Sequence, residues 1–289
     1  ALDTASPTAS RLAAMIARSI AVSLDLAPRV ADIPQAFLKG CKVEWRKRWE
    51  KFPVYVEMPS QRQVATHLLP ESMRCNSFQI LKITGPIYGL SDAALQWFNT
   101  IVRDLKNAKL ADLKACQSKI DNCLFWFTDA DGRAKGYLLI HVDDLEFAIQ
   151  GDEAMQAFEE FLHANGVKEV LCANGVNGAE YCGKTLKYIK EGGGSELIID
   201  QTTYLQVIEP LDIDADADDS TPVTPPQRRE AQAVLGQLAW LAVCTLPDLS
   251  TVVSYALSDL SSKGDISVLK FINKQVANLP KKAFIRVKP

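Results

Sequence analysis

The chain has 289 residues, 47% hydrophobic and 23% charged, a globular balance long enough for one large domain or two smaller ones. No run of apolar residues is long enough for a transmembrane helix. A net charge of -3 and a pI of about 5.7 argue against a stand-alone nucleic-acid binder, which neutralises phosphates with Lys and Arg.

The first residues, ALDTASPTAS, have neither the basic start nor the apolar core of a secretory signal. Residues 10–24 read as a helix capped by Ser10, with Leu12, Met15, Ile16 and Ile20 as its apolar stripe. Pro28 breaks that pattern, and residues 30–38 form a short apolar stretch holding one acid, Asp32. The basic run WRKRWEK at 45–51 reads as a solvated edge. Short strands are expected at Val54–Val56 and over 78–83, with a polar loop over 60–76 between them. Apolar positions 94, 98, 101, 102 and 105 predict an amphipathic helix over 92–107. A meander follows, with strands at Leu124–Phe127, Tyr137–Val142 and Leu145–Ile149, and turns at Asp129–Gly132 and Asp143-Asp144. A helix over 152–164 stops at Gly166, and residues 179–200 form a hairpin around EGGGSE.

Residues 211–227, LDIDADADDSTPVTPPQ, are acidic and Pro-rich and read as a linker. Three helical patterns follow it, so the expected organisation is a body over 1–210, a linker over 211–227 and a helical domain over 228–289. The fold class is α+β, with helices packed on an antiparallel sheet. The seven cysteines contain no Cys-x-x-Cys pair, and His67, His141 and His163 are scattered, so no zinc site is expected. Their odd number and wide spacing point to reduced thiols in a reducing, intracellular compartment.

Asp143 and Asp144 sit between two apolar strands, where adjacent carboxylates repel unless solvent or a cation screens them. With Asp32 they form a set of three. Three carboxylates meeting at one sheet edge can hold two divalent cations, and hard oxygen ligands select Mg²⁺ or Mn²⁺.

Eight segments carry a family resemblance: DIPQAFLKG (32–40), VYVEMP (54–59), IYGLSDAALQWF (87–98), DNCLF (121–125), LLIHVDDLEFAIQG (138–151), YCGKTLKY (181–188), IDQTTYL (199–205) and VLGQLAWLAVCTLPDLSTVVSYALS (234–258). In order and spacing they resemble the copia-type retrotransposon reverse transcriptase over nearly the whole chain. The resemblance implies a right-hand polymerase palm followed by a helical thumb or connection. It also implies RNA-directed DNA polymerisation with a primer-template and dNTPs as substrates. Asp32, Asp143 and Asp144 match the catalytic metal ligands. Phe37 matches the aromatic residue beneath the incoming sugar, and Tyr88, Gly89 and Leu90 match the segment facing the nucleotide.

Several positions depart from the family pattern. The chain begins where the family's fingers end, and it ends near where an RNase H domain would begin. Ser91-Asp92-Ala93-Ala94-Leu95 stands in place of Lys-Gln-Ala-Pro-Arg, which adds an acid near the nucleotide. His141 replaces an aromatic residue, and Leu246 replaces an Arg. Two functions follow as expectations. One is a reverse transcriptase working with Mg²⁺ or Mn²⁺, incomplete as this chain. The other is a catalytically silent, domesticated subunit that serves as a scaffold for protein partners.

Overall fold

The computed structural model describes residues 6–40, 53–57, 71, 80–192, 194–214 and 216–289. The protein is a mixed α+β structure with antiparallel sheets and, among the described residues, seven α-helices. No described helix is long and apolar enough to cross a membrane. The basic run at 45–51 and, apart from Glu71, the expected loop at 60–76 lie outside the described residues. The chain packs as two compact units, Ala1–Ala14 with Ala31–Val170, and Met15–Val30 with Leu171–Pro289.

In the first unit the expected meander forms. Strands β4 (Lys114–Gln117), β5 (Leu124–Thr128), β6 (Ala134–His141) and β7 (Asp144–Ile149) pair antiparallel in sequence order. The sheet is completed by β1 (Arg29–Asp32) and β8 (Val170–Cys172), giving the order β4-β5-β6-β7-β1-β8. Side chains alternate across a strand, so Leu138, Ile140, Leu145, Phe147 and Ile149 face one core. Helices α2 (Ala93–Asn107) and α3 (Asp152–Ala164) supply its other half through Trp97, Phe98, Ile101, Leu105, Phe158 and Leu162. Helix α1 (Arg11–Ser23) begins in this unit, where the Ser10 hydroxyl accepts from the Ala13 amide at 3.2 Å and satisfies an orphan donor. A separate ribbon of β2 (Tyr55–Glu57) and β3 (Ile80–Lys82) falls where short strands were expected.

The meander depends on a close approach at Gly136. A Cβ placed there would lie 2.1 Å from the Ala148 carbonyl oxygen of the neighbouring strand. Backbone cannot yield as a flexible side chain can, so Gly136→Ala is expected to cost about 1–3 kcal/mol. Urea unfolding checks this, and an unchanged midpoint would show that β6 and β7 can separate without loss.

The second unit holds a sheet in the order β12-β11-β10-β9, from β9 (Ala179–Tyr181), β10 (Lys184–Glu191), β11 (Gly194–Asp200) and β12 (Phe284–Val287). The expected hairpin is the β10–β11 pair. A short turn of helix, α4 (Thr202–Leu205), leads to α5 (Pro225–Cys244), α6 (Leu249–Ser262) and α7 (Ile266–Ala277). The three helical patterns after the acidic segment are these helices. Helix α5 opens with a capping box between Thr224 and Gln227. Ala231, Leu235, Leu238, Ala256, Leu260, Leu269 and Ile272 fill the core, whereas Leu257 of α6 is exposed.

The acidic segment does more than connect. Leu211 and Val223 lie in the same core, and Asp219 pairs with Lys270 at 2.8 Å. The chain passes between the compact units after Ala14, Val30 and Val170.

Candidate functional site

Asp32, Asp143 and Asp144 come from two neighbouring strands. Asp32 ends β1, which lies beside β7 in the sheet. The β6–β7 hairpin turns through Val142 and Asp143, with His141 paired to Asp144. The turn therefore falls one residue earlier than Asp143-Asp144, and Asp144 is already the first residue of the returning strand. Its backbone is unusual for its residues. Val142 has φ 61°, a left-handed conformation that crowds a β-branched side chain. Strain of this kind persists only where the surroundings hold it.

Two donors hold the turn. The Trp97 indole Nε1–H donates to the Val142 carbonyl at 2.8 Å, and the Ile33 amide donates to the Asp143 carbonyl at 3.0 Å. The second bond ties the turn to the residue after Asp32. Ala31, Ile33 and Leu145 face the core, so alternation places Asp32 and Asp144 on the opposite side of the sheet.

Charge couples the three acids. The Asp32 carboxyl is raised from its ordinary value of 3.8, first by partial burial and then by the negative charges of Asp143 and Asp144. Lys39 opposes that shift, and burial in turn lowers the Lys39 ammonium. Lys39 ends a short 3-10 turn, Ala36–Lys39, and its Nζ donates to the Asn165 carbonyl beyond the end of α3. Among the described residues no three His, Cys, Asp or Glu side chains already stand together as a ligand set for a metal ion. The three acids thus share an electrostatic field without a common coordination sphere.

A pH dependence follows from Asp32. Its carboxyl holds a proton more firmly when folded than when unfolded. That contribution to stability is complete below the ordinary value of 3.8 and is lost as pH rises through the raised folded value. Asp32→Asn carries no titrating group, so its stability relative to wild type should increase across that window and level off above it. Denaturant midpoints measured from about pH 3 to about pH 8 check this, and a flat difference would mean that neither burial nor the other two acids perturb Asp32.

Phe37 and Tyr88 also meet. Their ring centroids are 5.2 Å apart at 48°, with Phe37 partly buried against the core and Tyr88 57% exposed. Gly89 has φ 89°, and a Cβ there would meet nothing within 4 Å, so the glycine answers a need of the backbone rather than of space. Asp92, the acid gained in the altered segment, is fully buried at the N-terminal boundary of α2 and is not presented to solvent.

Sequence reasoning assigned no role to Lys39 or Trp97. Both lie in segments that carry the family resemblance, DIPQAFLKG and IYGLSDAALQWF, but nothing in their spacing discloses their partners. Among the described cysteines Cys123 is buried, and burial pushes its thiol up to about 12. A thiol so protonated is inert as a nucleophile or ligand. No protein-family model matches the chain.

Proposed function

We propose that the first unit is a reverse-transcriptase-type polymerase palm whose carboxylate set serves metal-assisted nucleotidyl transfer onto a primer. The observation that carries this reading is the meeting of Asp32 with a strained, doubly tethered Val142–Asp143 turn and Asp144 at adjacent strand ends.

On this reading, Asp32, Asp143 and Asp144 hold the cations after their side chains rotate inward. Bound Mg²⁺ or Mn²⁺ would supply the charge that eases deprotonation of a primer 3′-hydroxyl and stabilises the leaving oxygen. Burial first and then repulsion by Asp143 and Asp144 raise Asp32, and a divalent cation would relieve the repulsion. Phe37, backed by Tyr88, offers an aromatic floor for the sugar of an incoming dNTP, where a 2′-hydroxyl would meet the ring. The positive φ of Gly89 lets the backbone turn beside that floor.

The experiment is extension of a DNA primer on an RNA template with Mg²⁺ or Mn²⁺, run beside Mn²⁺ binding followed by electron paramagnetic resonance. Extension that requires Asp143 and Asp144 supports the reading. Absence of both extension and Mn²⁺ binding, with an active enzyme as control, would sink it.

A second reading is a catalytically silent descendant that acts as a scaffold subunit. It is favoured by the β2–β3 ribbon, where Tyr55 and Ile80 are 56% and 68% exposed and Val56 and Leu81 are exposed beside them. An apolar ribbon suits a protein partner better than solvent. The burial of Asp92 weighs on the other side, because a buried carboxylate does not repel a triphosphate as a solvent-facing one would.

A further inference from the structure

We propose that Trp97 is a positioning residue for the carboxylate turn, its indole N–H selecting the orientation of the peptide that joins Val142 to Asp143. The inference rests on the cation-binding reading for its consequence, although its structural content stands without it.

Two residues separate the paired His141 and Asp144, so the turn has a single central peptide, whose carbonyl belongs to Val142. The two turn types that suit such hairpins both place the first central residue at positive φ. They differ by a flip of the central peptide, which sets the sign of φ at the second residue. Here Val142 has φ 61°, while Asp143 is not among the residues of positive φ. That combination is the pattern of a type II′ turn.

Local sequence does not select this state. A type II′ turn prefers Gly at its first central position, and Val is poorly suited to it. Asp tolerates the left-handed region better than most residues, so a flip that carried Asp143 there would meet little resistance from Asp143 itself. The choice must come from tertiary contacts, and the Val142 carbonyl has one. Trp97 is 1% exposed, and its Nε1–H donates to that oxygen at 2.8 Å. A flip would withdraw the carbonyl and leave a buried indole N–H without this acceptor, which the interior penalises. The Ile33 amide holds the next carbonyl, that of Asp143. With both carbonyls held, the Cα–Cβ direction of Asp143 has one value instead of two.

This account makes a prediction that simple packing does not. Gly at position 142 encodes the same turn locally, so Val142→Gly should make the indole bond dispensable. Wild type, Trp97→Phe, Val142→Gly and the double variant are compared in two ways. The first is the φ of Asp143, from amide–Hα coupling in protein labelled at Asp. The second is Mn²⁺ affinity from electron paramagnetic resonance.

Trp97→Phe should make φ at Asp143 heterogeneous and weaken Mn²⁺ binding about tenfold. Val142→Gly should match wild type, and the double variant should return to within about twofold of Val142→Gly. An unchanged Asp143 in Trp97→Phe, or a double variant as impaired as Trp97→Phe, would overturn the proposal and leave Trp97 a packing residue. If wild type binds no Mn²⁺, the cation reading fails, and the φ comparison alone decides the role of Trp97. Should Trp97→Phe fail to fold, site-specific benzothienylalanine, which keeps the ring shape and puts sulfur where the N–H stands, replaces it under the same criteria.

Discussion

Asp143→Asn and Asp144→Asn are each expected to lower metal-dependent primer extension by about a thousandfold or more, equivalent to about 4 kcal/mol of transition-state stabilisation. The same substitutions should leave the folded state as stable as wild type or more so in the absence of divalent cations. Burial and the negative charges of Asp143 and Asp144 both act on ionised Asp32, and Asn keeps the shape of either acid while removing its charge. Activity and stability thus move in opposite directions, as expected for a site built for its ligand rather than for the fold. Extension rates and thermal midpoints of the same preparations test both halves. A variant that retained extension would remove that carboxylate from the chemistry. A variant that lost both extension and stability would show that the acid is structural.

Phe158→Ala should be the most damaging single truncation in the first unit, costing about 3–5 kcal/mol. Phe158 is fully buried on α3, with edge-on contacts to Phe127 at 5.2 Å and Phe147 at 4.8 Å and a stacked contact with Phe161 at 5.8 Å. It joins the helix to β5 and β7, so its loss opens a cavity and removes aromatic pairs whose geometry adds to simple burial. Because β7 carries Asp144, Mn²⁺ binding should weaken in the same variant before global unfolding. Urea unfolding gives the stability change, and a cost under about 1 kcal/mol would mean that Phe127, Phe147 and Phe161 collapse into the gap.

The parts legible from residues alone were those with a strong period or a strong breaker. Helices α2, α3, α5, α6 and α7 and the β5–β6–β7 meander stand where apolar spacing placed them. Strands β4 and β8 escaped because they are only four and three residues long, too short to show a period of their own. Their pairing is dictated by neighbours far along the chain rather than by their own pattern. The turn fell one residue earlier than expected because Val is poorly suited to a left-handed conformation, and only the tertiary bond from Trp97 reveals why it adopts one. The acidic segment read as a linker because its composition is polar, yet its few apolar residues reach a core. Asp92 read as a charge facing the nucleotide, and its burial depends on how α2 seats, which no local pattern reports. The nearness of Asp32 to Asp143 requires the strand order, which no local pattern supplies.

That strand order has a consequence for how the protein folds. The β6–β7 hairpin closes across two residues and can form early, whereas β1 reaches its place beside β7 only after a loop of about 110 residues closes. Asp143 and Asp144 are therefore neighbours from the first, and Asp32 joins them late, adding its repulsion when the sheet is nearly complete. Docking of β1 is then an uphill step electrostatically, eased by acid or by cations in the refolding medium. A refolding phase that speeds up with divalent salt more than with monovalent salt at equal ionic strength would mark that step.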